Sequence, residues 1–236
     1  YNITTGGAIG YFIDGVALFD ARDAFSYINN LGIDGTPNGN NGRGDGIWNR
    51  DAYENESITF DPANAHQASD TYHYHANPPA LRYLLDDHVD YNSISNTYSE
   101  KITSPSNHSP IIGWVSDGYP IYGPYGYSDP TDTNSVIRRM ISGYQKRDTS
   151  NRTSYPAWAS RMYSNFSLSL NEYGPDVSTQ FPIGHYIEDY DYLGDIGLTL
   201  GSDFDLDEHN GRFCITPEFP DGTYAYFTTI DQDGTP

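Results

Sequence analysis

Cysteine is all but absent. Cys214 is the single one in 236 residues, so the chain forms no internal disulfide. It sits in the alternating stretch Arg212-Phe213-Cys214-Ile215-Thr216, where a small buried hydrophobe is expected, and Arg212 alone supplies too little positive charge for a reactive thiolate. Loops of an extracellular chain would then be held by bound metal, glycans or neighbouring subunits. Basic residues are scarce as well. Twelve Lys and Arg face 32 Asp and Glu, with Lys101 and Lys146 the two lysines, for a net charge of −20. Such a surface repels phosphate, which excludes nucleic acid and anionic membranes as expected partners. Long apolar runs are missing too. Segments such as 110–115 fall far short of the roughly 18 residues a membrane helix needs, so no membrane insertion is expected. The chain opens at Tyr1 with no basic or apolar leader, so an exported chain would already have lost its signal.

What is abundant is tyrosine, 22 in all, set among Gly, Asn, Asp, Ser and Thr. Aromatic and β-branched runs between turn-forming clusters predict a mainly β fold with a few short helices and long loops. Ile9-Gly10-Tyr11-Phe12-Ile13-Asp14-Gly15-Val16-Ala17-Leu18-Phe19 places two β-type runs around an Asp-Gly turn, a strong hairpin signal. The pattern returns in Ile112-Gly113-Trp114-Val115-Ser116-Asp117-Gly118-Tyr119-Pro120-Ile121-Tyr122, which suggests an internal repeat within a hairpin-built sheet assembly. A third Asp-Gly turn, Asp221-Gly222, precedes Thr223-Tyr224-Ala225-Tyr226-Phe227. Helices are predicted at 79–87, at 134–145, where Val136, Ile137, Met140, Ile141 and Tyr144 share a stripe, and at 156–164. Segments 36–46 and 173–183 are predicted loops, and no linker divides the expected single domain, 1–236.

Three of the seven histidines are concentrated in Asn64-Ala65-His66-Gln67-Ala68-Ser69-Asp70-Thr71-Tyr72-His73-Tyr74-His75. On a strand, His73 and His75 project from one face about 6–7 Å apart, while Tyr72 and Tyr74 project from the other. His66, returning across the Ser-Asp turn, is a candidate third ligand. Imidazole donors suit Zn or Cu rather than Ca.

Tyr72-His73-Tyr74-His75 followed by Ala76-Asn77-Pro78 resembles the motif that names the YHYH domain family of bacterial, mostly exported, proteins. The resemblance continues through His108-Ser109-Pro110-Ile111-Ile112-Gly113-Trp114, Asp117-Gly118-Tyr119-Pro120-Ile121-Tyr122-Gly123-Pro124-Tyr125-Gly126, Leu206-Asp207-Glu208-His209-Asn210-Gly211-Arg212 and 216–227. It implies a family core over 51–236, preceded by an N-terminal hairpin and Gly/Asn-rich loop over 1–50, and an extracellular or cell-surface location. The family's biochemical role is poorly defined. His108, in a matched block, is a candidate fourth ligand, whereas His88 and His185 are expected to be structural. His209 stands where many relatives carry cysteine, so no thiol role transfers to it; it is a further candidate metal ligand in that place or merely fills space. The chain also ends at Pro236, before a Pro/aromatic segment common in the family, which suggests a sheet edge for another chain to complete.

Asp203, Asp205 and Asp207 would share one face of a strand and form a candidate Ca site, although Glu208 occupies the position where an EF-hand loop requires glycine. Five sequons, at Asn2, Asn55, Asn107, Asn151 and Asn165, make glycosylation an expectation. The composition favours an exported structural or binding protein that assembles with itself, for instance into a filament. One alternative is a Zn or Cu enzyme with Asp117 or Glu208 as base. Another is a carbohydrate-binding module using Trp48, Trp114 or Trp158, of which Trp114 is expected in the core.

Overall fold

Both Asp-Gly hairpins form, and by the same local chemistry. Gly15 and Gly118 take φ of +84° and +91°, a region glycine enters without steric cost, and the preceding Asp14 and Asp117 carboxylates accept from the Val16 and Tyr119 amides at 3.0 and 3.1 Å. The computed structural model describes residues 7–37, 42–68, 70–163 and 167–236. It is mainly β, with short helices α1 (Ala52–Glu56), α2 (Pro79–Leu84) and α3 (Ala157–Met162).

Two compact units arise from discontinuous segments. One contains Gly7–Phe19, Thr59–Gly143 and Leu200–Pro236, and the other contains Asp20–Ile58 and Tyr144–Thr199. In the first lies an eight-stranded sheet whose strands, in chain order, are β1 (Ala8–Phe12), β2 (Ala17–Phe19), β3 (Ala65–Ala68), β4 (Thr71–Tyr74), β5 (Ile111–Val115), β6 (Pro120–Tyr122), β7 (Gly211–Cys214) and β8 (Thr223–Phe227). The spatial order is β7-β8-β6-β5-β1-β2-β4-β3.

This order is a duplication about the central pair. β1 runs antiparallel to β5 with Tyr11 opposite Trp114, and each hairpin carries its register shift at the matching place, Ala8/Gly10 and Ile111/Gly113. Outside each hairpin a strand joins in parallel, with Leu18 opposite Tyr74 in one half and Ile121 opposite Tyr226 in the other. An antiparallel edge strand then closes each half, placing His66 opposite His73 and Arg212 opposite Ala225. The connections agree in detail. Asn64 and Asn210 sit in the left-handed region at φ 63° and 62°, and the Asp61 and Asp207 amides donate to Ala65 O and Gly211 O, both at 2.8 Å. Tyr72 and Tyr224 donate their hydroxyls to those same aspartates, while Tyr74 and Tyr226 donate to the hairpin aspartates Asp14 and Asp117.

Apolar side chains fill this unit in two clusters, Phe12, Ala65, Tyr74, Leu81, Ile112 and Ile121, and Tyr122, Met140, Leu206, Cys214, Ala225 and Phe227. Cys214 is buried, as its alternating context predicts, and burial raises its thiol pKa. Without disulfides, arginines tie the loops, Arg82 and Arg152 fully buried and Arg138 half-buried. Arg82 binds Asp87 and Glu100, Arg138 grips Asp205 with two bonds of 2.6 and 2.8 Å, and in the other unit Arg152 binds Asp189 through two bonds of 2.7 Å. That unit packs Tyr27, Trp48, Phe181 and Tyr186 together.

Helices appear near 79–87 and 156–164 as expected, but the predicted helix over 134–145 is corrected. Its residues form the strand Ile137–Arg139, paired with Tyr125–Tyr127, and the start of the strand Tyr144–Lys146, paired with Tyr190–Tyr192. The helical stripe is not realised: Met140 is fully buried, yet Val136 is 71% exposed. Extended backbone lets Arg138 reach Asp205 and Met140 fill the second cluster. Pairing with a strand distant in sequence outweighs local periodicity here.

Candidate metal centre

Cross-strand register brings the histidines together. His66 on edge strand β3 faces His73 on β4, and His75 follows one residue beyond β4. Their Nε2 atoms converge, His66 to His73 at 3.1 Å and His73 to His75 at 2.9 Å. All three donor atoms lie within 4.8 Å of one another. Four nitrogens at tetrahedral angles and roughly 2.0–2.1 Å from Zn²⁺ would stand about 3.3 Å apart, so small adjustments admit an ion.

Hydrogen bonding fixes which nitrogen faces inward. His73 Nδ1 is 3.0 Å from Thr71 O, and a carbonyl only accepts, so the proton of the neutral ring sits on Nδ1 and the Nε2 lone pair points at the other two rings. His66 Nδ1 lies 2.8 Å from Thr59 Oγ1. Second contacts of this kind orient metal-binding imidazoles. Phe19 stacks on His73 with centroids 3.9 Å apart, and Phe60 meets His66 edge-on at 4.8 Å. Burial, and next the neighbouring His73, lower the His66 pKa, which favours the neutral form a metal requires.

A ladder of hydrogen bonds between imidazoles explains this geometry less well. With its proton on Nδ1, His73 Nε2 has one lone pair and two nitrogen neighbours at bonding distance. A cation between the rings would use the lone pair of each Nε2 when all three rings carry their proton on Nδ1. The other half of the sheet shows that the scaffold itself does not require histidine. At the positions of His66, His73 and His75 it carries Arg212, Ala225 and Phe227, with the Arg212 guanidinium 5.5 Å over the Phe227 ring. Asp205, two residues before Asp207 as Thr59 is before Asp61, lies 3.8 Å from Arg212.

A family model described as "YHYH protein" matches residues 1–235. The chain belongs to the YHYH family. No curated protein and no solved structure matches it.

The remaining predicted site residues of this YHYH protein are dispersed. Among the described residues, His66, His73 and His75 form the one group of three or more His, Cys, Asp or Glu able to hold an ion. His108 does not join them. It packs against Tyr122, Tyr127 and Phe227, with Nδ1 2.7 Å from Ser109 O and its pKa lowered chiefly by burial. The acidic run is not a strand, which corrects the shared face expected for its carboxylates. Asp203 is exposed, Asp205 is buried on Arg138, and Asp207 accepts from His209 N, Gly211 N and the Tyr224 hydroxyl. His209 is exposed, with Nε2 3.9 Å from Glu208 Oε1. His185 fits its structural assignment, with Nε2 2.7 Å from Asp34 Oδ2.

The tryptophans are also reassigned. Trp114, expected in the core, is 42% exposed beside Tyr11, whereas Trp48 is fully buried and Trp158 buried, their Nε1 atoms donating to Glu172 O and Tyr190 O. Regular alternation would place Trp114 on the same face as Ile112, two residues earlier, but the register shift between Ile111 and Gly113 breaks the alternation, so Ile112 is buried and Trp114 faces outward. Of the sequons, Asn2 and Asn165 lie outside the described residues, while Asn107 and Asn151 are exposed. Asn55 Nδ2 donates to Asp51 O and His185 O at 2.9 and 2.8 Å, so a glycan on that nitrogen would displace a bond. Sequence reasoning missed Thr59, Phe19 and Phe60, which shape the centre without belonging to its motif. The repeat of the two hairpins was read from the sequence, but its extension to the outer strand pairs was missed, although Asp-x-x-Asn, shared by 61–64 and 207–210, and Thr-Tyr-x-Tyr, shared by 71–74 and 223–226, were both legible.

Proposed function

We propose that this YHYH protein is an extracellular metal-binding domain that holds one Zn²⁺ or copper ion on His66, His73 and His75. The observation that carries this reading is the convergence of three buried or half-buried Nε2 atoms, with His73 turned inward by its bond to Thr71 O. Nitrogen donors alone favour Zn and Cu over Ca or Mg. Binding is preferred to catalysis because Asp117 and Glu208, the bases considered from sequence, are not part of the cluster, and Asp117 accepts from the Tyr226 hydroxyl. The net charge of −20 and the exposed sequons Asn107 and Asn151 support the extracellular setting. The test is calorimetric titration of the metal-stripped chain with Zn²⁺ and Cu²⁺. One equivalent should bind, and His73→Ala with His75→Phe, which copies the other half, should abolish it while the circular dichroism stays native. No binding, or undiminished binding by the folded variant, overturns the reading.

Self-assembly is the second reading, and the edge strands favour it. β3 and β7 end the sheet with no further strand beside them among the described residues. A second copy that adds β7 beside β3 would extend the sheet head-to-tail into an open polymer. Electron microscopy of concentrated protein should show polymers, and a monodisperse monomer contradicts the reading. No helix of the described residues is long and apolar enough to cross a membrane.

A further inference from the structure

Building on the metal reading, we propose that the bound ion keeps an exchangeable fourth position that takes a small monodentate anion. The first support is the donor count. Among the described residues, no further His, Cys, Asp or Glu places a donor atom within 4.8 Å of all three histidine donors. Structural zinc sites close with four protein ligands, whereas three protein ligands leave a position for solvent or an incoming ligand.

Charge selects the class of that ligand. Three neutral imidazoles leave the ion its full double positive charge, and no carboxylate in the cluster offsets it. The nearby aspartates are engaged on the opposite face of β4, Asp61 by the Tyr72 hydroxyl and Asp14 by that of Tyr74. An anion from outside supplies the missing negative charge, and in a poorly solvated site that attraction is strong.

Access and size come from the walls. His66 and His73 are 8% and 1% exposed, and His75 is half-buried, so His75 marks the open side. Phe19 stands edge-on to His75 with centroids 5.9 Å apart, and the Phe60 ring lies parallel to it at 6.4 Å. Two apolar rings contribute no competing donor and narrow the approach to a ligand of a few atoms.

Cobalt(II) reports on this directly, because its visible bands respond to coordination number and donor type. The full chain loaded with one equivalent of Co²⁺ in halide-free buffer is titrated with azide and, separately, thiocyanate. A saturable one-to-one band shift, absent in the His73→Ala/His75→Phe variant, is the expected result. Bands that form on loading but do not move in a large excess of either anion overturn the open position and leave the metal reading intact. Failure of Co²⁺, Zn²⁺ and Cu²⁺ to bind removes the metal reading and this inference with it.

Discussion

His66 and Arg212 occupy the same place in the two halves of one sheet. Each lies on an edge strand opposite the third residue of a Thr-Tyr-x-Tyr strand, His73 in one half and Ala225 in the other. One half therefore brings three imidazole nitrogens together. The other presents a cation, the Arg212 guanidinium, held by Tyr127 O at 2.6 Å and Asp205 at 3.8 Å. The same local space thus takes two different sets of side chains in the two halves.

Metal should stabilise the folded chain. Binding to the native state alone contributes about 2.7 kcal/mol at a free concentration one hundred times the dissociation constant. For a chain of this size that raises the melting temperature by roughly 5–10 °C. Calorimetric scans with and without Zn²⁺ check the shift, and the His73→Ala/His75→Phe chain should show none.

Converting the second half tests the duplication. Arg212→His, Ala225→His and Phe227→His in one chain should add a second metal equivalent to the titration. Its affinity should differ from the first, since Asp205 rather than Thr59 lies beside the edge-strand residue. A folded triple variant that still binds one equivalent would show that the halves match in backbone only.

Much of this architecture was legible in sequence. The Asp-Gly pairs marked both hairpins because turn chemistry is local, and the i, i+2 spacing of His73 and His75 placed them on one face. What local reasoning could not supply was the pairing between distant segments. The Ser-Asp turn already returned His66 towards His73, but nothing near Met140 states that it belongs beside Leu206 and Phe227. The stripe over 134–145 looked helical for that reason. His108 shared a family block with the hairpin it precedes, but the fold places it against Phe227, the counterpart of His75 in the half that carries no triad.

Tryptophan replacements should separate the interior from the surface. Trp48 is fully buried against Tyr155 and Tyr186, so Trp48→Ala should cost about 3–5 kcal/mol. Trp114→Ala removes an exposed cross-strand partner of Tyr11 and should cost within about 1 kcal/mol. Urea unfolding of both variants measures the difference.

Stability of the unit built from Asp20–Ile58 and Tyr144–Thr199 should fall as pH rises. Glu188 is fully buried, and burial pushes its carboxyl pKa up to about 8 from an ordinary 4.5, against the opposing bonds from Asn49. Between those values the folded state keeps a proton that the unfolded chain releases. The stabilisation is therefore complete below about pH 4.5 and is lost as pH climbs towards 8. Burial also raises Asp23 to about 7 and Asp51 to about 6, and both act in the same direction. Each such group contributes a slope of up to about 1.4 kcal/mol per pH unit. Urea titrations of metal-stripped protein between pH 5 and pH 8 should show that decline, and Glu188→Gln should flatten it; an unchanged slope would contradict the assignment.

The most direct measurement is the position of a bound ion. Crystals of the full chain grown with Zn²⁺ and measured on both sides of the zinc absorption edge would locate it by anomalous difference. One strong peak bonded to the Nε2 atoms of His66, His73 and His75 at about 2.0–2.1 Å is the predicted result. A peak confined to surface groups such as Asp203 or His209, with none between the three rings, would contradict the account.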